Sequence, residues 1–460
     1  MLEAISNIIP SSTQNVVTNF FSLLQNLPQN ILFDIGLILI FAAIVAYIAK
    51  AIKQPLIPAY IIAGLILGPL ALGIIHDSEI IRTIAEIGII FLLFIVGIEM
   101  DLNKLKSVGW TTIIVGTLQV VLTFIAGYLI SLYALGFDPL NSVYAGLVLA
   151  FSSTMIVIKL LSDEEELNTL HGRLIIGILF LQDVFVIFAL AILLGTTTFS
   201  PALIVPILIK AFILFLIAYL LNRYVVYRVF KFAAKSQELL FLMALAICFV
   251  FVMIAYLFGF SIAIGAFVAG ITIANLPYNM DIVGRVSPLK DFFATIFFVA
   301  LGLQLGIGNF STILFPLLIF MLVILFLKPF VILIILSILG YDKRNSFAAA
   351  ISLAQISEFS LILVMSLASV SEVLFTTTIL AAIISIALTS YIFKYEMKIY
   401  NILFPVLKIF EKLAIKKRGI GRTRKDKKNI VLFGYHRIGT IFYSALSKMK
   451  KKVLIVDFDP

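Results

Sequence analysis

Asp183 sits mid-way through Ile178-Leu179-Phe180-Leu181-Gln182-Asp183-Val184-Phe185-Val186, a run in which only Gln182 shares its polarity. An ionisable side chain in so apolar a segment costs ~2.5–3.5 kcal/mol even on the lenient membrane-insertion scale, so it needs a reason. Burial favours the protonated form of a carboxyl, and a bound cation favours the ionised form. One such group holds a proton or a monovalent cation, not both, and that competition is the minimum chemistry of an exchanger. The competing structural reading is a buried ion pair or a proton-bearing helix contact. Gln182 offers oxygen without charge, which points to one proton exchanged for one cation, electroneutrally, with Lys328 a possible complication of that count.

Two further polar clusters interrupt apolar runs: Phe151-Ser152-Ser153-Thr154 and Gln355-Ile356-Ser357-Glu358. Hydroxyls re-satisfy backbone groups freed where a membrane helix unwinds, although serine and threonine also bond back to their own helix. Ser152, Ser153, Thr154 and Glu358 therefore join Asp183 and Gln182 as candidate ion or proton ligands. Glu358 has two open roles, coordinating the ion or compensating a helix N-terminus. Lys328 precedes Pro329, which breaks local backbone bonding. It either pairs with Asp183 when no cation is bound or neutralises exposed carbonyl ends of broken helices. Asp183→Asn is expected to remove exchange, and Lys328→Ala to shift its apparent pKa more than it destroys transport.

Weaker readings cover the other charges in apolar runs. Arg82 and Glu86 are four apart and suit a mutual pair. Asp34, Glu99 and Lys394 lie near span ends, where snorkelling is cheap. Trp110 reads as an interfacial anchor, and Lys210 suggests only a dimer or lipid-headgroup contact. The single cysteine, Cys248, excludes disulfides within the chain. His76, His171 and His436 lie too far apart for metal-ligand spacing.

The elements that must position these residues follow from composition. The 460-residue chain is 62% hydrophobic and 13% charged, about half the charge of a soluble protein. Lipid must be its solvent, and long continuous apolar runs favour helices over a barrel. Hydropathy gives about 13 spans near 31–52, 56–75, 80–100, 108–134, 141–161, 173–194, 201–222, 238–258, 261–276, 290–306, 311–339, 345–370 and 373–398. Alternate loops carry Lys53; Lys104 and Lys106; Arg173; Arg223, Arg228, Lys231 and Lys235; Arg285 and Lys290; and Lys343 and Arg344. The intervening loops carry no Lys or Arg. The net charge of +10 thus reflects topology rather than nucleic-acid binding, with the N-terminus outside and the C-terminus in the cytoplasm of a cell-membrane protein.

An odd span count fits two six-helix inverted repeats with a linking span, their site lying where broken helices of the two halves meet. The fifth and twelfth spans, which hold the two polar clusters, occupy corresponding places. The domains expected are an N-terminal amphipathic segment over 1–30, a transmembrane domain over 31–400, a basic cytosolic linker over 401–428 and an α/β segment over 429–460. The linker is suited to anionic lipid. The last segment reads strand, Gly434-Tyr435-His436-Arg437-Ile438-Gly439 turn, helix and strand ending near Asp457. This is the opening of a dinucleotide-binding fold, with the acid where a ribose contact belongs. His436 replaces the middle glycine, a departure from ordinary dinucleotide binding. About thirty residues do not close a parallel sheet, so this domain is read as incomplete.

Together these segments resemble the Kef-type members of the cation:proton antiporter superfamily. The resemblance is carried by Ala85-Glu86-Ile87-Gly88 through Glu99, Phe151 to Thr154, Gln182-Asp183, Gly265 to Gly270, Phe297 to Gly302 and Ala354 to Phe359. The tail is similar to the start of that family's RCK/TrkA-N regulatory domain, with a possible nucleotide at Gly434, His436, Gly439 and Asp457. The resemblance implies a homodimer, crossed broken helices and an elevator-like movement of Asp183 between membrane faces. It implies K+ or Na+ as the partner of H+, with a lean to K+, and no cofactor in the membrane domain. A gated cation channel is the rival within transport, but no Thr-Val-Gly-Tyr-Gly filter occurs. An intramembrane enzyme would need a paired base or second aspartate that the spans lack.

Overall fold

The computed structural model describes residues 31–75, 78–99, 110–167, 169–194, 201–305, 310–367, 369–410, 430–434, 437–449 and 453–456. The N-terminal amphipathic segment, the basic run after residue 410, His436 and Asp457 lie outside these residues, as does the Arg82 side chain. Apolar runs that must bond their own backbone in lipid become helices. The first three are α1 (Ile31–Ala51), α2 (Leu56–Leu67) and α3 (Ser78–Glu99). After them come α4 (Trp110–Tyr133), the half-helices α5 (Pro139–Ala150) and α6 (Thr154–Asp163), and α7 (Leu170–Leu194). Next are α8 (Pro201–Leu221), α9 (Tyr227–Ala233), α10 (Gln237–Leu257), α11 (Ile262–Ala274) and α12 (Asn279–Leu303). The second half of the chain adds α13 (Phe310–Leu322), α14 (Lys328–Ile338), the half-helices α15 (Lys343–Ser352) and α16 (Glu358–Ser366), α17 (Glu372–Lys394) and α18 (Glu396–Phe410). Among the described residues, nine helical stretches are long and apolar enough to cross a membrane, with α2 and α11 as shorter apolar helices.

Helix α2 ends at Leu67, short of the 75 read for its span, and three other boundaries run on past the hydropathy reading for one reason. A helix continues into water as long as its backbone bonds hold, whereas hydropathy registers only its apolar part. Helix α12 therefore begins at Asn279 rather than near 290, and a π-helical turn at Asn222–Val226 joins α8 to α9 through Arg223 and Arg228. Helix α18 crosses the boundary expected at residue 400.

One group of helices, α2, α3, α11 and α12, is packed backbone to backbone. A Cβ on Gly64 would meet the carbonyl of Val299, and one on Gly302 the carbonyl of Ile61. Gly97 and Gly270 stand in the same reciprocal relation between α3 and α11. Small residues permit this approach, and packing rather than hydrophobic burial holds membrane helices together. The second group centres on α4, which contacts α5, α7 and α14, while α7 and α14 contact α15 and α17 contacts α13 and α16.

The two pairs of half-helices start alike. Asp138 caps α5 by accepting the N–H groups of Leu140 and Asn141, each at 3.1 Å, and Asn141 donates back to it at 2.6 Å. Asp342 caps α15 through Arg344 and Asn345 in the same Asp-x-x-Asn pattern. Burial works against the charge of Asp138, but the Asn141 side chain and the two N–H groups outweigh it and lower its carboxyl below the ordinary 3.8. Its stabilisation is thus complete above that value and lost as pH falls through the lowered one. Asp138→Ala is expected to cost about 1 kcal/mol at pH 7. Thermal unfolding in detergent should show the gap from the parent protein closing as pH falls below 3.8.

At the C-terminal end, β1 (Ile430–Phe433) and β2 (Val453–Val456) pair in parallel, joined by α19 (Arg437–Lys448). Gly434 has φ +86°, and a Cβ on Gly439 would meet the Gly434 carbonyl, so the turn into α19 needs both glycines.

Candidate functional site

Helices α5 and α6 are interrupted by residues 151–153, and α15 and α16 by residues 353–357. Each interruption frees backbone groups that lipid cannot satisfy, and the structure supplies partners for them. Gln119 Nε2 donates to Ala150 O at 2.9 Å, and Lys328 Nζ donates to Phe151 O at 2.7 Å. Ser152 N–H donates to Gln182 Oε1 at 2.9 Å, and Gln355 Nε2 donates to Ser153 O at 3.3 Å. On the other break, Ser152 Oγ donates to Leu353 O at 2.8 Å and Thr389 Oγ1 to Ala354 O at 3.3 Å. Lys328 Nζ also donates to Gln355 O at 2.9 Å, and Ile356 N–H donates to Ser385 Oγ at 3.3 Å. Each break thus satisfies part of the other, and one ammonium spans both.

Asp183 lies beside this crossing on α7, 8% exposed, with Thr154 Oγ1 3.0 Å from each carboxylate oxygen. Thr154 opens α6, so the carboxylate sits against the first break. Among the described residues, no Lys or Arg forms an ion pair with Asp183. The Lys328 ammonium goes instead to the carbonyls of Phe151 and Gln355, the second of the two roles its sequence position left open. Its charge faces the C-terminal ends of α5 and α15, where partial negative charge collects.

Ser153 caps α6 by accepting Ile156 N–H at 3.4 Å, and Ser357 caps α16 by accepting Phe359 N–H at 3.1 Å. Glu358, 1% exposed, is the first residue of α16, and among the described residues neither of its oxygens has a hydrogen bond of ordinary geometry. It faces Ser153 and the Met155 N–H, where the N-terminal end of α6 carries partial positive charge. It also interacts electrostatically with Asp183 and with Lys290, a buried residue of α12. The crossing therefore has a cation at its carbonyl ends, a carboxylate at its N–H ends, and a second carboxylate to one side.

The sequence-derived residues Asp183, Gln182, Ser152, Ser153, Thr154, Lys328 and Glu358 all meet here. Gly434 and Gly439 belong to the separate β1-α19-β2 unit. Sequence reasoning missed Gln119, Ser385 and Thr389, which hold the breaks from neighbouring helices. Gln119 had a usable signal, an amide between Leu118 and Val120 in an apolar run. Lys210 is exposed on α8, with its ammonium directed toward Gly259, and Trp110 is 76% exposed at the start of α4.

Residues 37–395 match the family described as sodium/hydrogen exchanger, transmembrane. K(+) efflux antiporter 5 of Arabidopsis thaliana is 31% identical over 340 residues, covering 72% of this chain and 60% of its own length. The glutathione-regulated potassium-efflux system protein KefC of Escherichia coli is 28% identical over 429 residues, covering 91% and 67% respectively. The chain spans only 53–60% of the length of the plant antiporters it matches. Among solved structures, the sodium proton antiporter MjNhaP1 of Methanocaldococcus jannaschii shares the fold, with a TM-score of 0.62 and 19% identity. That match covers 82% of this chain and 97% of the other.

Proposed function

Because the chain belongs to the sodium/hydrogen exchanger family, we propose that it is a monovalent cation:proton antiporter in which Asp183 binds proton and cation in turn. The observation that carries this is the setting of Asp183: buried, bonded among the described residues only to a neutral hydroxyl, and set against a break that supplies further oxygens. Had Lys328 been paired with it, one charge would have had to leave before a cation could enter. Here the cation is itself the missing counter-charge, and a proton is the alternative. Thr154 serves both states, since a hydroxyl donates to a carboxylate and accepts from a carboxylic acid.

Potassium is the favoured cation, supported by the Gln182-Asp183 pair and by relatives named for potassium efflux. One carboxylate per cycle makes the exchange electroneutral. The protein acts as a transporter rather than an enzyme. It is a homodimer in the cell membrane, with the N-terminus outside and the C-terminus cytoplasmic. The β1-α19-β2 unit belongs to a nucleotide-binding regulatory domain that the basic linker joins to the membrane domain.

Proton movement in proteoliposomes, followed with an internal pH dye as K+ or Na+ is added, tests the reading. Cation-evoked proton efflux that persists with the membrane potential clamped is expected, at lower K+ than Na+ concentration. Cation flux without proton movement would make the protein a channel.

A further inference from the structure

We infer that Gln119 is a positioning residue for the cation site, a role that rests on the antiporter reading and extends it to a helix outside both breaks. Gln119 lies on α4 and is fully buried. Its Nε2 donates to Ala150 O at 2.9 Å and to Thr123 Oγ1 at 3.3 Å, while its Oε1 accepts from Gln182 Nε2 at 2.5 Å. Gln182 Oε1 in turn accepts the Ser152 N–H at 2.9 Å.

This chain of bonds runs in one direction only. The Ala150 carbonyl accepts and cannot donate, so the NH2 end of Gln119 must face it. The oxygen of Gln119 is thereby turned toward Gln182, and Gln182 must answer with its own NH2. The oxygen of Gln182 is then the end left facing the Ser152 N–H and the break. Reversing either amide sets carbonyl against carbonyl, or NH2 against the Ser152 N–H, among side chains that are all buried.

The consequence is chemical. Both N–H bonds of an amide repel a cation, and its oxygen attracts one. Gln119 takes up the NH2 of Gln182, so the amide that precedes Asp183 on α7 turns its donors away from the break and its oxygen toward it, with one lone pair on the Ser152 N–H and the second left for a cation. It also fixes that oxygen in place, and the number and placement of coordinating oxygens bear on the choice between K+ and the smaller Na+. The proton half of the cycle needs only the Asp183 carboxyl and Thr154, neither of which touches Gln119.

Cation-evoked proton flux in proteoliposomes holding the full chain separates these roles. Gln119→Leu is expected to raise the K+ concentration for half-maximal exchange about tenfold, the cost of one misdirected buried bond, and to narrow the K+/Na+ preference. Maximal rate should stay within about twofold, because that cost falls on binding the cation rather than on the steps that follow. Gln119→Glu adds a signature that packing alone would not give. Its acid form can donate to Ala150 and accept from Gln182, so its K+ requirement should fall back toward the parent value as pH is lowered. That second variant decides the matter if Gln119→Leu does not assemble. An unchanged K+ requirement and preference in Gln119→Leu would overturn the proposal, as would a Gln119→Glu requirement that tracks the parent protein at every pH. A parent protein that exchanges while both variants match it sinks only this inference; a parent that moves no protons sinks the antiporter reading beneath it.

Discussion

Asp183→Asn is expected to reduce cation-evoked proton movement to the level of empty vesicles while the protein remains folded. Asparagine keeps the size of the side chain and an oxygen for the Thr154 hydroxyl, which lies 3.0 Å from both carboxylate oxygens. The breaks do not depend on Asp183, since their freed groups are held by Gln119, Gln182, Lys328, Gln355, Ser385 and Thr389. Removing a buried charge that no ion pair among the described residues compensates should leave the protein at least as stable as the parent. What disappears is the exchange of one positive charge for another, because an amide neither releases a proton nor attracts a cation with full charge. Flux and thermal unfolding on the same preparation check both halves. Full exchange would move the shared site elsewhere, with Glu358 the next carboxylate to examine.

Lys328→Ala is expected to act mainly on stability. Its ammonium serves Phe151 O at 2.7 Å and Gln355 O at 2.9 Å, one carbonyl from each break. Each buried polar group left without a partner costs about 1–3 kcal/mol, and the side chain is fully buried, so water reaches neither carbonyl. Part of that loss is offset because burying an ammonium is itself expensive. A net loss of about 2–4 kcal/mol follows, read as a lower thermal midpoint in detergent. The sequence-based expectation left both roles open and named a shifted apparent pKa, with transport largely retained, as the main effect of this substitution. The two are separable: a variant of parental stability with a displaced pH profile would restore the pairing.

The membrane helices were legible because apolar length is written locally. So were the two breaks, since polar clusters in corresponding spans are visible without knowing what they touch. Their partners were not. Ser152 reaches Leu353, Gln355 reaches Ser153, and Lys328 reaches Phe151. These bonds join positions far apart in the chain and leave no periodicity to read. The helix ends failed for a simpler reason: Asn279 to Lys290 is polar enough to look like a loop but lies within α12. The role of Lys328 was open on sequence because either partner suited a buried ammonium, and only distance separates them.

The reciprocal glycine contacts carry a mechanical consequence. Where Gly64 meets Val299 and Gly302 meets Ile61, or Gly97 meets Phe267 and Gly270 meets Phe94, neighbouring backbones are keyed into each other. Sliding one helix along the other would drive carbonyls into Cα atoms, so these seams do not shear. Where α17 meets α2, both helices contribute aliphatic side chains to one apolar cluster, Leu67 from α2 and Ile379 and Ile386 from α17, and such tips can change rotamer. Compliance is therefore distributed unevenly: stiff where glycines interlock, yielding where aliphatic tips meet. A stiffer bilayer or a lower temperature should slow whatever motion the molecule makes at the yielding seam, and leave the shape of the keyed unit unchanged.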